Sequence, residues 1–282
     1  MVKLWLFRGI KKGILTTKYP SKAPTQDEIP RNSAPPTPTE TSDWAKGREI
    51  CPTGAIEVND AGERSKSGRI DLGRCIYCRR CSEAGFDFSN GSNGQGSLRA
   101  GFASQVTSAS ADALSKGYMR KGKKIFKKSF HVLMIDVGSC NACNLEVLNL
   151  SNPYYDLNRL GIFFTNSPKH ADALVVVGAL NKSMVDVLKR TYENIPNPKL
   201  VIAVGACPIS GGIFRDTESF FSPVGDVIPV DVVIPGCPPT PIQILEGLLI
   251  AMGKQQSKVT SLSIIQSNWS NFNATMSEST GA

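Results

Sequence analysis

The sequence predicts an α/β protein built on a parallel sheet that is covered on both faces. Three stretches lead to this prediction, at residues 132–143, 201–207 and 232–237. In each of them a run of β-branched and other apolar residues ends at a glycine and is followed by a cysteine. Uninterrupted apolar runs of this kind are typical of strands buried on both faces.

The cysteines that follow these runs are expected to lie close together. In open α/β sheets, ligands bind beyond the carboxyl ends of the strands, and the ends of parallel strands share one edge. The thiols concerned, called the sheet-edge set below, are Cys140, Cys143, Cys207 and Cys237. Four converging thiolates indicate a metal site, and we expect a [4Fe-4S] cluster there.

Composition limits the possible functions. The chain has 282 residues, enough for one domain of ordinary size and a second, smaller one. Its net charge is +8, and the basic residues concentrate at 3–18 and 120–128. These segments lack the interleaved aromatic residues of single-strand nucleic-acid binders. The charge therefore favours docking or lipid-facing surfaces, with nucleic acid as the alternative.

The sequence predicts a reducing compartment, and this bears on how the cysteines are interpreted. No apolar run approaches the roughly 18 residues of a membrane span, and the N-terminus lacks the features of a secretory signal. We expect a cytoplasmic protein. All eight cysteines fall into spaced groups, and disulfides are rare in reducing compartments, so metal ligation is the better interpretation.

The first 43 residues are predicted to be a basic segment followed by a proline-rich linker. Apolar residues recur at helical spacing in the basic part, at Leu4, Phe7, Ile10 and Ile14. An amphipathic helix there suits either an anionic lipid surface or the surface of a partner subunit. Residues 21–43 are rich in Pro, Ser and Thr, which is typical of an extended linker.

A second cysteine group lies at residues 51–81, where CPTGAI is followed by CIYCRRC. Bacterial ferredoxins repeat a C-x2-C-x2-C-x3-C-P motif, and the fourth cysteine of each run binds the other cluster. Aligned to this template, Gly85 takes the fourth position of the second run. The first three positions of the first run hold Thr41, Trp44 and Gly47.

Compared with the ferredoxin motif, this chain lacks all the ligands of one cluster and keeps all those of the other. The retained cysteines, called the N-terminal set below, are Cys51, Cys75, Cys78 and Cys81. This pattern predicts a small α+β ferredoxin-like domain at residues 44–88 with a single [4Fe-4S] cluster. Zinc is the alternative, because four thiolates also suit that ion.

The remaining chain divides into a linker, a main domain and a tail. Residues 89–124 are small and polar and are expected to be a linker, and 125–253 form the main domain. In the main domain we expect strands at 131–136, 161–165, 173–177, 200–204 and 230–234, and helices at 142–150, 184–193 and 241–252. This alternation predicts a flavodoxin-like, doubly wound sheet. The polar tail at 254–282 is expected to be mobile or bound to a partner.

Four stretches of the main domain resemble a known family. They read GSCNACNLEVLNLSNPYYD, SPKHADALVVVGAL, AVGACPISGGIF and VDVVIPGCPPTPIQIL. They are similar to the small subunit of membrane-bound, energy-converting [NiFe] hydrogenases, the group of formate hydrogenlyase, and to the 20 kDa subunit of respiratory complex I. The resemblance covers about residues 125–253, while residues 1–88 resemble the ferredoxin-type subunit of the same complexes.

The spacing within the first cysteine pair favours the hydrogenase branch. Complex I subunits of this family have two adjacent cysteines at the first ligand position, whereas Cys140 and Cys143 are separated by two residues. Ala142 replaces a glycine common in the family, and Pro208 follows Cys207. Neither difference removes a ligand.

The resemblance implies an electron-transfer subunit without a catalytic residue of its own. It would carry two [4Fe-4S] clusters and pass electrons between a ferredoxin-type donor or acceptor and a hydrogenase large subunit. Its partners would be that subunit, other iron-sulfur subunits and membrane subunits, which would hold it on the inner face of the cell membrane. The alternative is a complex I-like oxidoreductase that reduces quinone or another acceptor without nickel.

Two further residues are candidates for the surface facing the large subunit. Glu146 lies one helical turn after Cys143, where it would serve a proton relay or form an ordinary surface salt bridge. His170 lies in the SPKHAD motif. It is expected to pack or hydrogen-bond near that interface rather than to bind metal, because the thiols complete both sites.

Overall fold

The computed structural model describes residues 5–13, 16–21, 36–58, 68–88 and 126–254. The predicted linker at 89–124 lies outside these ranges, as do residues 22–35 of the proline-rich segment and 255–282 of the tail. Within the described ranges, no helix is long and apolar enough to cross a membrane.

The N-terminal part contains a separate helix and a small α+β unit. The first helix, α1, spans Trp5–Lys12, as its amphipathic pattern predicts. The small unit consists of helix α2 (Trp44–Ile50), the antiparallel strands β1 (Ile56–Val58) and β2 (Gly68–Ile70), and a 3-10 helix at Arg80–Ala84. Asp43 caps α2, because its side chain accepts a hydrogen bond from the Lys46 N–H at 3.0 Å.

An aromatic core fills this unit where the ferredoxin template has cysteines. Trp44 packs edge-to-face on Phe86, with 5.1 Å between ring centroids. Gly47 lies against the same ring, so that a side chain there would come within 2.7 Å of it. These template positions therefore serve packing in this chain.

The main domain is an α/β domain of alternating strands and helices. Its strands are β3 (Phe130–Asp136), β4 (Ile162–Phe164), β5 (Ala173–Val177), β6 (Leu200–Val204) and β7 (Val232–Ile234). Its helices are α3 (Ala142–Asn149), α4 (Val185–Asn194), α5 (Ala206–Ser210) and α6 (Pro241–Ala251).

The sheet confirms the predicted doubly wound topology. All five strands are parallel, in the order β4-β3-β5-β6-β7. Counted from β3, this is the order 2-1-3-4-5 of flavodoxin-like folds. Every residue of β5 and β6 is buried, as their uninterrupted apolar runs predict.

Helices cover both faces of the sheet. One face packs against α3 and α6 through residues such as Val147, Leu245 and Leu248. The other packs against α4 through Val185 and Leu188. Helix α6 begins with a capping box formed by Thr240 and Gln243, with proline at its start as predicted.

The small unit contacts the main domain at the short helix α5. The Ser210 hydroxyl donates a hydrogen bond to the Gly73 carbonyl oxygen at 2.9 Å. Gly73 approaches so closely that a side chain there would lie 2.9 Å from the Ile209 Cγ2 atom. The two groups of cysteines therefore lie on parts of the chain that touch each other.

Candidate metal centres

The sheet-edge set lies beyond the carboxyl ends of three strands. Cys140 and Cys143 follow β3, Cys207 follows β6, and Cys237 follows β7. Hydrogen bonds join the last two turns, since Gly205 N–H donates to Ile234 O at 2.8 Å and Ala206 N–H to Gly236 O at 2.9 Å. The structure therefore places all four cysteines at one edge of the sheet, the edge where such folds bind ligands.

Glycines allow the backbone to approach these thiols. Gly205 has a φ of +96°, and a Cβ atom there would lie 2.6 Å from the Cys143 sulfur. A Cβ atom on Gly212 would lie 3.3 Å from the Cys207 sulfur. The space beside both sulfurs thus depends on residues without side chains.

The sheet-edge thiols are close enough to interact electrically. Burial raises the pKa of Cys143 to about 12 and that of Cys207 to about 11, and the charges of the neighbouring thiols contribute to a smaller extent. Burial and the charges of Cys140 and Cys78 also raise the pKa of Cys237. Like charges that raise one another's pKa need a cation nearby before all four can ionise together.

A carboxylate fixes the loop that holds the first two cysteines. Both oxygens of Asp136 accept hydrogen bonds, from the N–H groups of Gly138 (2.9 Å) and Ser139 (2.8 Å), the Ser139 hydroxyl (2.7 Å) and the Asn144 amide (2.6 Å). These bonds outweigh partial burial and lower the pKa of Asp136. The sequence prediction missed this loop anchor, although Asp followed by Gly-Ser is typical of such turns.

Replacing Asp136 with asparagine is expected to loosen this loop. The charged acceptor disappears, at a cost of about 1–2 kcal/mol in the free energy of unfolding. Because the folded-state pKa of Asp136 is lowered, its stabilisation is present above its ordinary pKa of 3.8 and is lost as the pH falls below it. At neutral pH the variant should lose iron to a chelator faster than the wild type does.

Asp172→Asn provides the matched control. Asp172 accepts a hydrogen bond from the His131 N–H at 2.7 Å, at the amino end of the same strand β3. We expect that variant to lose stability without faster iron release. Equal rates of iron release in the two variants would contradict a local role for Asp136.

The N-terminal set surrounds a cavity. Cys51 follows helix α2, Cys75 and Cys78 lie in the loop after β2, and Cys81 lies in the 3-10 helix. All four line this cavity, together with apolar residues that include Ile56 and Phe88. The Ala55 N–H donates a hydrogen bond to the Cys51 sulfur at 3.2 Å. Backbone donors to sulfur are one means by which proteins tune iron-sulfur sites.

The loop around Cys78 has an uncommon backbone conformation. Tyr77 and Arg79, on either side of it, have left-handed φ angles of 56° and 64°. Alternation of this kind forms backbone nests, which bind anionic groups including iron-sulfur clusters. Burial is the main cause that raises the pKa of Cys75 to about 12 and that of Cys81 to about 11. Both thiols therefore need a cation beside them to ionise at neutral pH.

The two remaining candidates lie in different places. Glu146 is half-buried on α3 within electrostatic reach of Cys143, and burial raises its pKa. His170 is exposed and directly precedes β5, at the amino end of the sheet opposite the cysteines. The structure therefore brings Glu146 to the sheet-edge set and does not bring His170 there. Their roles at an interface stay predictions.

The donor sets consist of thiols, which suit either zinc or an iron-sulfur cluster. In the described ranges, no three Cys, His or carboxylate side chains are arranged to hold a single metal ion. A tetrahedral zinc site needs four ligands at about 2.0–2.3 Å from one point. Glycines beside the Cys143 and Cys207 sulfurs leave space next to these thiols, which a cluster with several metal atoms requires. The assignment of the eight cysteines as its ligands stays a prediction.

Comparison with known proteins identifies related chains. The NADH ubiquinone oxidoreductase 20 kDa subunit family matches residues 140–251. A probable membrane-bound hydrogenase subunit of Pyrococcus furiosus, mbhJ, is 41% identical over 131 residues, which are 46% of this chain and 78% of that protein. Less than half of this chain is covered by that match.

Relatives in other complexes are equally similar. Formate hydrogenlyase subunit 7 of Escherichia coli is 42% identical over 137 residues, 49% of this chain and 53% of its own length. An NADH-quinone oxidoreductase subunit of Citrifermentans bemidjiense is 44% identical over 117 residues, 42% of this chain and 66% of its own length. The degree of identity therefore does not separate hydrogenase from quinone-reducing relatives.

Proposed function

The chain belongs to the family of the 20 kDa subunit of NADH ubiquinone oxidoreductase, and from that premise we propose that it is an electron-transfer subunit with two [4Fe-4S] clusters. Residues 44–88 would hold one cluster with the N-terminal set, and residues 125–253 the other with the sheet-edge set. The observation that carries the proposal is that all eight cysteines fall into two groups of four, each with mutually interacting thiols.

The residues around each group suit an iron-sulfur cluster. When bound, the cluster would supply the one-electron redox chemistry, and the protein would set its surroundings. The thiols of Cys75 and Cys143 are buried, so their sites limit contact with water. Apolar surroundings and hydrogen bonds to sulfur are the features that set the potentials of such clusters.

Zinc is the competing occupant of both sites. Four thiolates bind zinc in structural sites, and such a site would make the chain a binding module rather than an electron carrier. The spacing of the N-terminal set supports the cluster, because three cysteines at two-residue intervals with a remote Cys-Pro match the ferredoxin motif. A brown colour in protein purified without oxygen would exclude zinc as the sole metal.

We further propose that the chain works in a membrane-bound [NiFe] hydrogenase complex, next to its large subunit. The two-residue gap between Cys140 and Cys143 supports this branch over complex I. Hydrogenase subunits among the relatives support it as well. The second candidate is a complex that reduces quinone without nickel, and the similarity to the NADH-quinone oxidoreductase subunit favours it. In either complex, membrane subunits would hold the chain peripherally at the membrane.

Nickel analysis of the native complex separates the two candidates. The complex is purified without oxygen, and its nickel and iron are measured together with the amount of this chain. We expect nickel near one atom per complex, as in a [NiFe] hydrogenase. Iron in the expected amount without nickel would contradict the hydrogenase assignment and support the quinone-type complex.

A further inference from the structure

The two cysteine sets approach each other across the junction of the small unit and the main domain. Charge on Cys78 of the N-terminal set raises the pKa of Cys237 in the sheet-edge set, so the two thiols are within electrostatic reach. The hydrogen bond from Ser210 to Gly73 and the close approach of Gly73 to Ile209 hold this junction together. The chain itself therefore sets the separation of the two sites.

Tyr77 lies at this junction. Its neighbours Ile76 and Cys78 line the cavity of the N-terminal set, but Tyr77 does not. Its ring packs instead on the small apolar core that contains Leu72 and Cys75. Its hydroxyl is within electrostatic reach of Cys75 in one set and of Cys237 in the other.

The backbone of Tyr77 supports this placement. Its φ of 56° is left-handed, a conformation that costs about 1–2 kcal/mol in a residue with a side chain. Strained residues of this kind persist only where the surrounding structure fixes them, and they concentrate at functional sites. The backbone of Tyr77 also hydrogen-bonds to the thiol of Cys75, which ties it to the first set.

We propose that Tyr77 bridges the two cysteine sets and carries the electron path between them. The proposal rests on the proposed function, since it requires a cluster in each set. With a cluster held by each set, one electron would pass from the reduced cluster of the N-terminal set to the oxidised cluster of the sheet-edge set, or in the opposite direction. No bond forms or breaks, no proton moves, and the ring of Tyr77 is neither oxidised nor reduced.

The physical role of the ring is to fill the gap with packed atoms. Electron tunnelling decays more steeply through water or empty space than through packed covalent groups. A side chain truncated at this position would leave a cavity lined partly by polar thiols, which water can enter. The ring matters for this role, and the hydroxyl does not.

The test measures transfer between the clusters directly. An electron is delivered to the chain by flash photoreduction, and its equilibration between the two clusters is followed by transient absorption. Electron paramagnetic resonance records both cluster signals and the magnetic interaction between them. We expect Tyr77→Ala to slow this equilibration, because the packed ring between the sets is lost. Both signals and their magnetic interaction should stay as in the wild type.

Matched variants distinguish the bridge from a structural role. Tyr77→Phe keeps the ring and should keep the wild-type rate. Tyr192→Ala truncates an aromatic residue on α4, which packs on the face of the sheet opposite the one that contacts Cys143, and should also keep it. If Tyr77→Ala loses a cluster, Tyr77→Leu retains apolar volume and is expected to show a smaller slowing with both clusters present.

Several outcomes would overturn the inference. These are a wild-type rate in Tyr77→Ala, an equal slowing in Tyr192→Ala, or a slowing accompanied by a weaker magnetic interaction, which would show that the two units had moved apart. A wild-type chain with only one cluster signal would overturn the proposed function itself. Two signals with an unchanged rate in Tyr77→Ala would overturn only the role of Tyr77.

Discussion

Replacing Cys143 with serine is expected to reduce the iron content of the chain from about eight atoms to about four. Cys143 is 8% exposed and lies within electrostatic reach of the other three sheet-edge thiols. A serine oxygen is a poor ligand for a soft metal centre and ionises far less readily than a thiol. The sheet-edge cluster should be lost while the cluster of the N-terminal set remains.

The experiment measures the iron content per chain and the cluster signals in electron paramagnetic resonance. Two further variants complete it. Ala142→Gly changes a neighbouring residue that is not a ligand and should retain about eight irons. Cys75→Ser should remove the other half of the iron and the other signal. A Cys143→Ser chain that keeps all its iron would contradict the assignment of the sheet-edge set. A chain that loses all its iron would contradict the claim that the two sites bind iron independently.

Replacing Gly205 with alanine is expected to remove the sheet-edge cluster without touching any ligand. The new methyl group would lie 2.6 Å from the Cys143 sulfur, far closer than van der Waals contact. Either that sulfur or the turn after β6 must move, and Cys207 lies two residues further along the same turn. Because the φ of Gly205 is +96°, the alanine is also strained. We expect about half of the iron to be lost and unfolding to become easier by more than about 2 kcal/mol.

The Gly13→Ala variant separates the effect of backbone strain from the effect of the close contact with the Cys143 sulfur. Gly13 has a similarly left-handed φ of +66°, but a side chain there would meet nothing within 4 Å. Its replacement should cost about 1–2 kcal/mol at most and leave the iron content unchanged. Full iron in Gly205→Ala would show that the turn relaxes easily and that this glycine is not required for the cluster site.

The fold could be predicted from the sequence because its strands are buried on both faces. Such strands leave uninterrupted apolar runs, and those of β5 and β6 were located to the residue. The first two residues of the predicted strand at 230–234 lie outside β7, which begins at Val232. Helix α5 was missed, because Gly205 and Pro208 indicate a turn, and a helix of five residues has no apolar period to detect.

The meeting of the sheet-edge cysteines was predictable for a topological reason. Strands of one parallel sheet end at one edge, so thiols after β3, β6 and β7 must share it. The same rule indicates that His170, which precedes β5, lies at the other edge, away from these thiols. For His170 the family motif was the only guide, and a motif carries no information about position in space.

Other features of the site depend on contacts that the sequence pattern does not show. The anchor role of Asp136 requires a turn that brings Asn144, eight residues away, back to its carboxylate. The junction at Tyr77 requires the packing of Gly73 against Ile209, which are far apart in the chain. Long-range contacts of this kind involve single residues, so they leave no period or spacing by which they could be recognised.

The most direct measurement is the iron and zinc content of the unmodified chain purified without oxygen. Two [4Fe-4S] clusters predict about eight irons per chain and no stoichiometric zinc. About four irons would leave one cysteine set without its proposed cluster. Zinc in place of iron would contradict electron transfer as the function of this chain.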